Sequence, residues 1–407
     1  MSAETFLNGR IQLHCGDCLA VMDTLEENSF DSCVCDPPYH LQSIVKRFAK
    51  TGRTDKTRTS SGPHQRTANG FMNKVWDGGD IAFQVSTWER VFRVLKPGAY
   101  IVAFSSSRTF GRMSVAIEDA GFITHPLIGW IFGQGFPKAH RVKIDGMEGW
   151  RYGGQALKPA LEPIYVGQKP FSEINGTKNI ERWGTGALNI DGCRVGTDES
   201  LSVGSGALWS HERDKKAPGP REVRPSDLGR WPANVMTDGS PEVVAAFPNT
   251  QSGLLATHHS RGNKTESIYG QFAHNEQDQD FGGDSGSAAR FFWSSKAVAD
   301  DRLGSNHPTV KPVDLIEELA TLVTPIGGTI LDCFSGTGTL GEAAWRRGFN
   351  AVLIEREPEY QSDIRRRMAL CMAGPEERKR ESIKAKSGDV PFEPGSLFAG
   401  IQGQAAE

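Results

Sequence analysis

Four consecutive residues near the start of the chain could hold a flat, polar base. Asp36, Pro37, Pro38 and Tyr39 follow a short apolar strand pattern, and the two prolines stiffen the loop. The Asp36 carboxylate and the Pro37 carbonyl are both acceptors, as an exocyclic amino group with two hydrogens requires, and the Tyr39 ring could stack on the base. Taken alone, these residues are equally compatible with a plain turn that ends a strand, with Asp36 in solvent.

A second motif lies far down the chain. Residues 329–332 form an apolar strand pattern that ends at Asp332 and leads into a glycine turn at residues 334–338, after which a helical pattern begins. The next strand delivers Glu355 about twenty residues after the turn, the spacing at which an acid meets ribose hydroxyls in dinucleotide-type folds. The third glycine of the dinucleotide fingerprint is missing, and no P-loop lysine follows the turn. The pattern therefore predicts a site for a nucleoside-type ligand.

Together the two motifs resemble those of the amino-methyltransferases of DNA, which use S-adenosylmethionine to methylate the exocyclic nitrogen of adenine or cytosine. A third motif, the sequence HPTVKP at residues 307–312, supports the resemblance. The catalytic tetrapeptide comes first and the cofactor loop last, an order that resembles the β class. Residues 36–47 and 157–164 resemble a phage or prophage branch. The resemblance covers residues 10–170 and 286–372.

The resemblance implies roles for individual residues. Asp36, Pro37, Pro38 and Tyr39 would be catalytic. The cofactor would contact the following residues: Asp17, Cys18, Thr309, Lys311, Asp332, Phe334, Ser335, Gly336, Thr337, Gly338 and Glu355.

Within this set, the resemblance places the amino acid moiety of the cofactor near Asp332, Thr309 and Lys311, its ribose at Glu355 and its adenine amino group at Asp17. A helix N-cap is an equal alternative for Asp17. We expect His307 to be structural. Glu162 is a weak candidate for substrate contact, and a structural role is favoured for it as well. A loop at residues 133–138 receives no catalytic role.

The implied reaction is direct, in-line transfer to a base flipped out of double-stranded DNA, without a covalent enzyme intermediate. Adenine N6 is favoured, because the N4 enzymes of cytosine more often carry Ser where this chain has Asp36. Cytosine N4 methylation remains the nearest alternative, and RNA or protein amide methylation, for which Asn is usual at this position, is a more distant one. A DNA-binding protein without catalysis is the alternative from another class.

Charge is unevenly distributed along the chain. The formal net charge is −3, yet residues 46–74 carry eight basic residues against the single acid Asp55. This segment directly follows the proposed catalytic loop, so we predict phosphate contacts from Lys46, Arg47, Lys50 and Arg53. A solvated basic loop is the alternative. From the resemblance, a homodimer and a paired restriction endonuclease are further candidate partners.

Bulk properties narrow the class of protein. The chain has 407 residues and 38% hydrophobic content, with no basic start followed by an apolar run and no stretch long enough to span a bilayer. We therefore expect a cytoplasmic protein. Seven cysteines do not suggest a disulfide framework, and reduced thiols are expected. Cys15, Cys18, Cys33 and Cys35 match no standard zinc spacing, so packing is favoured and no metal is predicted.

Alternating strand and helix patterns predict an α/β fold, a doubly wound parallel sheet with helices on both faces. The resemblance specifies a Rossmann-like class I methyltransferase sheet that is circularly permuted. Its first four strands would contain Leu331, Val352, Leu13 and Val34, in that order. This permutation brings Asp332, Glu355, Asp17 and Asp36 to one edge.

The predicted domain organisation follows from the motifs and from a shift in composition. Residues 1–170 would form the catalytic half of the methyltransferase domain and residues 286–373 its cofactor-binding half. Between them, residues 171–285 lose periodicity and are rich in polar residues and glycine. By position this segment resembles a target-recognition insertion, and a poorly ordered insertion is the alternative. Residues 374–407 are predicted to be a flexible tail.

Overall fold

The computed structural model describes residues 3–39, 80–197, 201–202, 225–226, 229–251, 285–295, 299–307 and 309–387. Its strands are β1 Glu4–Phe6, β2 Ile11–Cys15, β3 Phe30–Cys35, β4 Leu95–Phe104, β5 Ile123–Thr124, β6 Ile128–Ile131, β7 Lys138–Arg141, β8 Arg151–Gln155, β9 Leu161–Gln168, β10 Leu201–Ser202, β11 Pro225–Ser226, β12 Val235–Thr237, β13 Asn249–Gln251, β14 Ser285–Ser287, β15 Trp293–Ser294, β16 Thr329–Asp332 and β17 Asn350–Glu355.

Its α-helices are α1 Cys18–Met22, α2 Val85–Val94, α3 Phe110–Asp119, α4 Gly176–Trp183, α5 Pro241–Ala246, α6 Val313–Val323, α7 Thr339–Arg347, α8 Pro358–Leu370 and α9 Pro375–Ser387. Short 3-10 helices lie at Ile81–Phe83, Asp191–Cys193, Ala288–Phe291 and Ala299–Arg302. Within the described ranges, none of the helices is both long enough and apolar enough to cross a membrane.

One large sheet organises the described part of the chain. Its strands follow the order β1-β2-β17-β16-β3-β4-β9-β6-β12-β15, and β5 pairs with β9. Pairing from β2 through β17, β16 and β3 to β4 is parallel, and β9 is antiparallel to both β4 and β6. The predicted permutation numbers β16 as the first strand, β17 as the second, β2 as the third and β3 as the fourth. From β2 to β3 the observed order is then 3-2-1-4, as the circular permutation requires. The predicted doubly wound, permuted sheet is confirmed.

Helices cover both faces of this sheet because its strands alternate apolar side chains between the faces. Ile330 and Leu331 are consecutive in β16 and are fully buried on opposite sides. Ile330 joins a cluster with residues of α6, α7 and α8, whereas Leu331 joins one with residues of α1, α2 and α3. Burial on both faces explains why the central strands show an almost continuous apolar pattern.

The segment predicted as an insertion contributes to the main sheet. β12, from residues 171–285, pairs in parallel with β6 and with β15. Near α4, the Asn189 N–H donates to the Leu322 carbonyl at the end of α6 at 2.8 Å. The structure therefore shows parts of this segment packed on the main sheet and its helices.

The predicted tail begins with a helix, α9. Its Arg378 reaches the buried Glu342 in α7 at 2.7 Å, and Arg367 and Arg346 also pair with this carboxylate. Burial raises the pKa of Glu342, but the three arginines lower it by more, so the carboxylate stays ionised. A charged helix can dock in this way through ion pairs without an apolar stripe, which is why periodicity did not predict it.

Candidate active site

The carboxyl ends of four parallel strands converge on one cleft. Asp17, Asp36, Asp332 and Glu355 lie at or just after the ends of β2, β3, β16 and β17 and line a cavity of about 1360 Å³. The predicted catalytic and cofactor-binding residues that line it are Asp17, Cys18, Asp36, Pro37, Pro38, Tyr39, Thr309, Lys311, Asp332, Phe334, Ser335, Gly336, Thr337 and Glu355. Gly338 is the exception, because it caps α7 behind the turn.

The glycine turn is built by backbone conformation and by one acid. Gly336 and Gly338 have φ values of +50° and +75°, in the left-handed region that favours glycine. A Cβ on Gly338 would lie 3.0 Å from a side-chain carbon of Ile364. Glu355 holds the turn in place, since its carboxylate accepts from the N–H of Gly336 at 2.8 Å and from that of Glu357 at 2.7 Å.

Two acids of the cleft have unusual protonation behaviour. Burial raises the pKa of Asp332 to about 8, although the Phe334 N–H, 3.1 Å from Oδ1, acts in the opposite direction. Burial also raises the pKa of Glu355 to about 7, against the lowering effect of backbone N–H donors that include those of Glu357 and Gly336. Both groups therefore bind protons near neutral pH in the ligand-free protein. A cation or a hydrogen-bond donor that enters the cleft would favour their ionised forms.

Asp17 is a helix N-cap, the alternative considered for it. Its Oδ1 accepts from the N–H groups of Leu19 at 3.0 Å and Ala20 at 3.2 Å at the start of α1. The same side chain lines the cleft, so the cap also fixes an acid at its wall. Cofactor contact by Asp17 remains a prediction.

Lys311 is the centre of a polar cluster beside the predicted catalytic loop. Its Nζ lies 2.8 Å from Asp36 Oδ2, 2.9 Å from the Tyr39 hydroxyl and 3.1 Å from Glu162 Oε2. Burial lowers the pKa of Lys311, but the negative charges of Asp36 and Glu162 raise it by more, so the lysine is charged. The ammonium donates to Asp36 and Tyr39, and Glu162 pairs with the same nitrogen. These contacts join Lys311 to the predicted catalytic loop, and its contact with the cofactor stays a prediction.

Glu162 is the functional candidate that sequence reasoning undervalued. It lies at the start of β9 and accepts from the Tyr39 hydroxyl at 3.3 Å as well as pairing with Lys311. Because β9 is antiparallel to β4, its amino end lies at the edge of the sheet where the parallel strands end. The sequence around Glu162 resembles the phage branch, and this was its only signal.

Tyr39 is held by its hydroxyl and its backbone. Burial, followed by the charges of Asp36 and Glu162, raises the pKa of Tyr39 well above its usual value, so the phenol stays protonated. The Thr109 hydroxyl donates to the Tyr39 carbonyl at 3.2 Å. These contacts orient the ring at the cleft wall, the position from which stacking on a base was predicted.

Asp36 Oδ1 is buried and has no hydrogen-bond partner among the described residues. An unsatisfied buried acceptor costs free energy, and a donor that reaches it recovers that cost. Protein atoms cover Oδ1 here, so a rotation of the carboxylate is needed before a ligand can reach it. The other oxygen is bound to Lys311, and the carboxylate is thus half satisfied.

His307 packs beneath the glycine turn. Its ring lies 4.5 Å from that of Tyr360, edge to face, and its Nδ1 is 3.0 Å from the Thr309 carbonyl. Burial lowers the pKa of His307, which keeps the imidazole neutral. A Cβ on Gly336 would lie 3.4 Å from His307 Nε2, so the histidine supports the turn, in agreement with the expected structural role.

The seven cysteines are free thiols, and three of them cluster. The sulfur atoms of Cys33, Cys35 and Cys333 lie within 4.8 Å of one another in the core. Cys33 and Cys35 are two of the four cysteines considered from the sequence, and Cys333 directly follows β16 in the distant second motif. Neighbouring thiols and burial raise the pKa of each thiol in the group well above its usual value. All three side chains are buried among apolar residues of the core.

The predicted DNA contacts at Lys46, Arg47, Lys50 and Arg53 lie outside the described residues, so they stay predictions. A different basic element borders the cleft in the described part of the chain. It comprises β7, β8 and their flanks, and sequence reasoning missed it.

Comparison with known proteins identifies relatives. The family model for DNA methylases of the N6/N4 type matches residues 30–366. The type II methyltransferase M.BglI of Bacillus subtilis is 38% identical over 73 residues, which are 18% of this chain and 20% of the relative. M2.DpnII of Streptococcus pneumoniae is 38% identical over 68 residues, 17% of this chain and 25% of the relative. The aligned parts thus span a quarter or less of these two curated relatives.

Solved structures match over most of the chain. The cytosine-N4-specific PvuII DNA methyltransferase covers 95% of this chain and 95% of its own, with 14% identity and a TM-score of 0.44. The complex of M1.HpyAVI with S-adenosylmethionine covers 88% of this chain and 98% of its own, with 14% identity and a TM-score of 0.40.

Proposed function

Because the chain belongs to the N6/N4 family of DNA methylases, we propose that it transfers a methyl group from S-adenosylmethionine to the N6 amino group of adenine in DNA. The observation that carries the proposal is the shared cleft of about 1360 Å³, lined by the catalytic loop and by the glycine turn. Ligand pockets usually measure roughly 300–1,000 Å³, so this cleft has room for a cofactor and a base together.

S-adenosylmethionine is the methyl donor of this family, and the residues of the cleft suit it. The cofactor carries an ammonium, a sulfonium and ribose hydroxyls, and the cleft offers carboxylates to these groups. Glu355 uses its two oxygens for backbone donors but keeps lone pairs for hydroxyls, because an ionised carboxylate accepts about four hydrogen bonds. Asp332 would face a cation, which favours its ionised form. When bound, the cofactor supplies an electrophilic methyl group.

The catalytic loop would prepare the amino group for attack. Its nitrogen is a poor nucleophile because the lone pair is delocalised into the ring. Donation of its two hydrogens to Asp36 and to the Pro37 carbonyl favours a more pyramidal nitrogen whose lone pair faces the methyl group. Tyr39 holds the base by stacking, which offsets part of the cost of flipping it from the duplex.

Lys311 and Glu162 would set the charge of this site. The amine becomes cationic as it is methylated, and a lone ammonium beside Asp36 would oppose that change. Glu162 compensates, because Asp36, Glu162 and Lys311 together carry a formal charge of −1. The cluster thus stabilises the cationic transition state, and Asp36 is the nearest acceptor for the proton that the product loses.

The remaining parts of the proposal concern class and partners. The order of motifs favours the β class, and residues 36–47 and 157–164 favour its phage-like branch. We assign the basic residues 46–53 to DNA phosphates and residues 171–285 to target recognition. A cytoplasmic location follows from the substrates, and a homodimer and a paired endonuclease are partners to test.

The decisive experiment identifies the methylated product. Purified protein is incubated with unmethylated genomic DNA and labelled S-adenosylmethionine, and the DNA is digested to nucleosides for mass spectrometry. We expect N6-methyladenine. N4-methylcytosine would transfer the proposal to the other branch of the family. Cofactor binding without label on DNA would refute DNA methylation and turn attention to RNA, protein or a non-catalytic role.

A further inference from the structure

A basic and aromatic β-ribbon stands at the mouth of the cleft. It comprises residues 136–158, in which β7 pairs with β8 in antiparallel register, with Arg141 opposite Arg151 and His140 opposite Tyr152. The Val142 N–H donates to the Trp150 carbonyl at 3.1 Å and extends the pairing towards the tip. Five paired residues at a rise of ~3.3 Å give an arm of roughly 17 Å.

The composition of the ribbon suits a polyanion. Residues 136–158 contain five lysines and arginines against two acids, whereas the whole chain has a net charge of −3. Trp150 and Tyr152 are exposed at 63% and 57%, and the His140 and Tyr152 rings stand 5.4 Å apart. Exposed aromatic rings between basic residues are typical of nucleic-acid surfaces rather than of a solvated hairpin.

The ribbon is firmly attached to the catalytic sheet at its base. The Phe132 N–H donates to the Ala160 carbonyl at 3.1 Å, which ties the two flanks together beyond β6 and β9. At Gly135 the backbones approach so closely that a Cβ would lie 1.8 Å from the Pro159 carbonyl oxygen. The flanks of the ribbon then form part of the cleft wall, through residues that include Phe136, Lys138 and Leu157.

Phe136 and Leu157 occupy a particular place on that wall. They are 81% and 86% exposed, yet both line the cleft in which the base would bind. Large apolar side chains that are exposed together beside a pocket often mark a surface that a ligand or partner covers. Proteins that distort DNA use such residues as wedges between or beside base pairs.

We propose that this ribbon binds the DNA duplex beside the target base, with its arginines on the phosphates and with Phe136 and Leu157 filling the space that the flipped base leaves. The inference rests on the proposed function and adds a DNA-binding element to it. A two-stranded ribbon fits the major groove, which is about 12 Å wide and 8.5 Å deep. The ribbon is long enough to reach the groove floor while its base remains at the cleft.

The first test compares two pairs of arginine and lysine substitutions. The ribbon variant is Arg141→Ala with Arg151→Ala, and the control is Lys379→Ala with Arg380→Ala on α9. Both control residues are exposed. Neither lines the cleft, and α9 lies outside the segments that we assign to DNA. Fluorescence anisotropy with labelled DNA fragments gives the affinity at several salt concentrations.

We expect the ribbon variant to bind DNA about 10-fold more weakly and to lose about 2 from the slope of log K against log salt, one for each phosphate contact. The control should match the wild-type protein, and all three should bind S-adenosylmethionine equally. Unchanged affinity and slope in the ribbon variant, with active wild-type protein, would overturn the inference but leave the proposed function intact. A wild-type protein that neither binds nor methylates DNA would refute the function itself.

The second test addresses the wedge residues. Phe136→Ala with Leu157→Ala should lower kcat/KM about 10-fold on duplex DNA but less than about 2-fold on a single strand, in which the base is already unstacked. Equal losses on both substrates would contradict a wedge.

A third measurement needs no substitution. Photocrosslinking of iodouracil-substituted duplex should label the peptide around Trp150 and Tyr152. The proposal would be refuted if this crosslink were absent and the ribbon variants kept their DNA affinity but changed the sedimentation of the protein. The ribbon would then be a protein-binding surface.

Discussion

Replacement of Glu162 by glutamine tests the electrostatic account of the site most directly. The substitution preserves shape but changes the formal charge of the Asp36, Glu162 and Lys311 cluster from −1 to 0. Lys311 Nζ lies 2.8 Å from Asp36 and 3.1 Å from Glu162, which places the Glu162 carboxylate about 6–9 Å from an amine bound at Asp36. The cationic transition state therefore loses a nearby negative charge.

The size of the effect follows from Coulomb's law. With an effective dielectric constant of about 20, a unit charge at ~8 Å contributes about 2 kcal/mol, equivalent to roughly 30-fold in rate. Loss of the Glu162 charge also leaves Asp36 as the sole carboxylate partner of Lys311. Lys311 then holds Asp36 away from the base, and this lowers the rate as well. We expect kcat to fall and the affinity for S-adenosylmethionine to stay within about 2-fold.

Single-turnover transfer of labelled methyl to saturating DNA measures the chemical step alone. The matched control is the double variant Glu162→Gln with Lys311→Met, because removing both charges returns the cluster to −1 through Asp36. This variant should be faster than the single Glu162→Gln variant, a coupling that additive structural damage would not produce. A single variant within about 2-fold of wild type, or a double variant slower than the single one, would refute the charge argument.

Three further predictions concern the catalytic acid, the cofactor site and the glycine turn. Asp36→Ala should abolish methyl transfer and leave cofactor affinity within about 3-fold; calorimetric loss of cofactor binding as well would mean that Asp36 is structural. Burial raises the pKa of Asp332 to about 8, so this acid is protonated at pH 6 and a cationic cofactor must displace its proton. The affinity for S-adenosylmethionine should therefore rise with pH by up to about tenfold per unit between pH 6 and 8. A flat profile, or the same slope in Asp332→Asn, would contradict this prediction. At Gly338 the φ is +75° and an added Cβ would lie 3.0 Å from Ile364, so Gly338→Ala should lower the free energy of unfolding in urea by about 2–4 kcal/mol. Gly348 has a φ of +82° but open space around it, so Gly348→Ala should lower the same free energy by only about 1 kcal/mol. Equal losses in the two variants would exclude the steric contribution.

The convergence of the four acids could be predicted because it depends on parallel pairing. Each of Asp17, Asp36, Asp332 and Glu355 follows a strand pattern, and parallel strands place their carboxyl ends at one edge. Once the permuted order was inferred, the cleft followed without any knowledge of side-chain contacts. The glycine turn was predictable for the same reason, since its residue types report backbone conformation directly.

Contacts that depend on antiparallel or ionic pairing could not be predicted in this way. Glu162 begins a strand, so the rule that places sites after strands passes over it, and only the reversal of β9 against β4 brings it to Lys311. Helix α9 docks by Arg378 rather than by an apolar stripe. β12 is only three residues long, too short for any periodicity to register.

These omissions share a physical cause that bears on the chemistry of the site. The sequence motifs predict the groups that contact the base and the cofactor, but the charge of the site also depends on a partner from another strand. Lys311 is bound by Asp36 from β3 and by Glu162 from β9, and either carboxylate alone would leave the cluster neutral. A neutral cluster would not stabilise a cationic amine. The motif residues are therefore insufficient for the proposed reaction, and the reversed strand β9 completes the site.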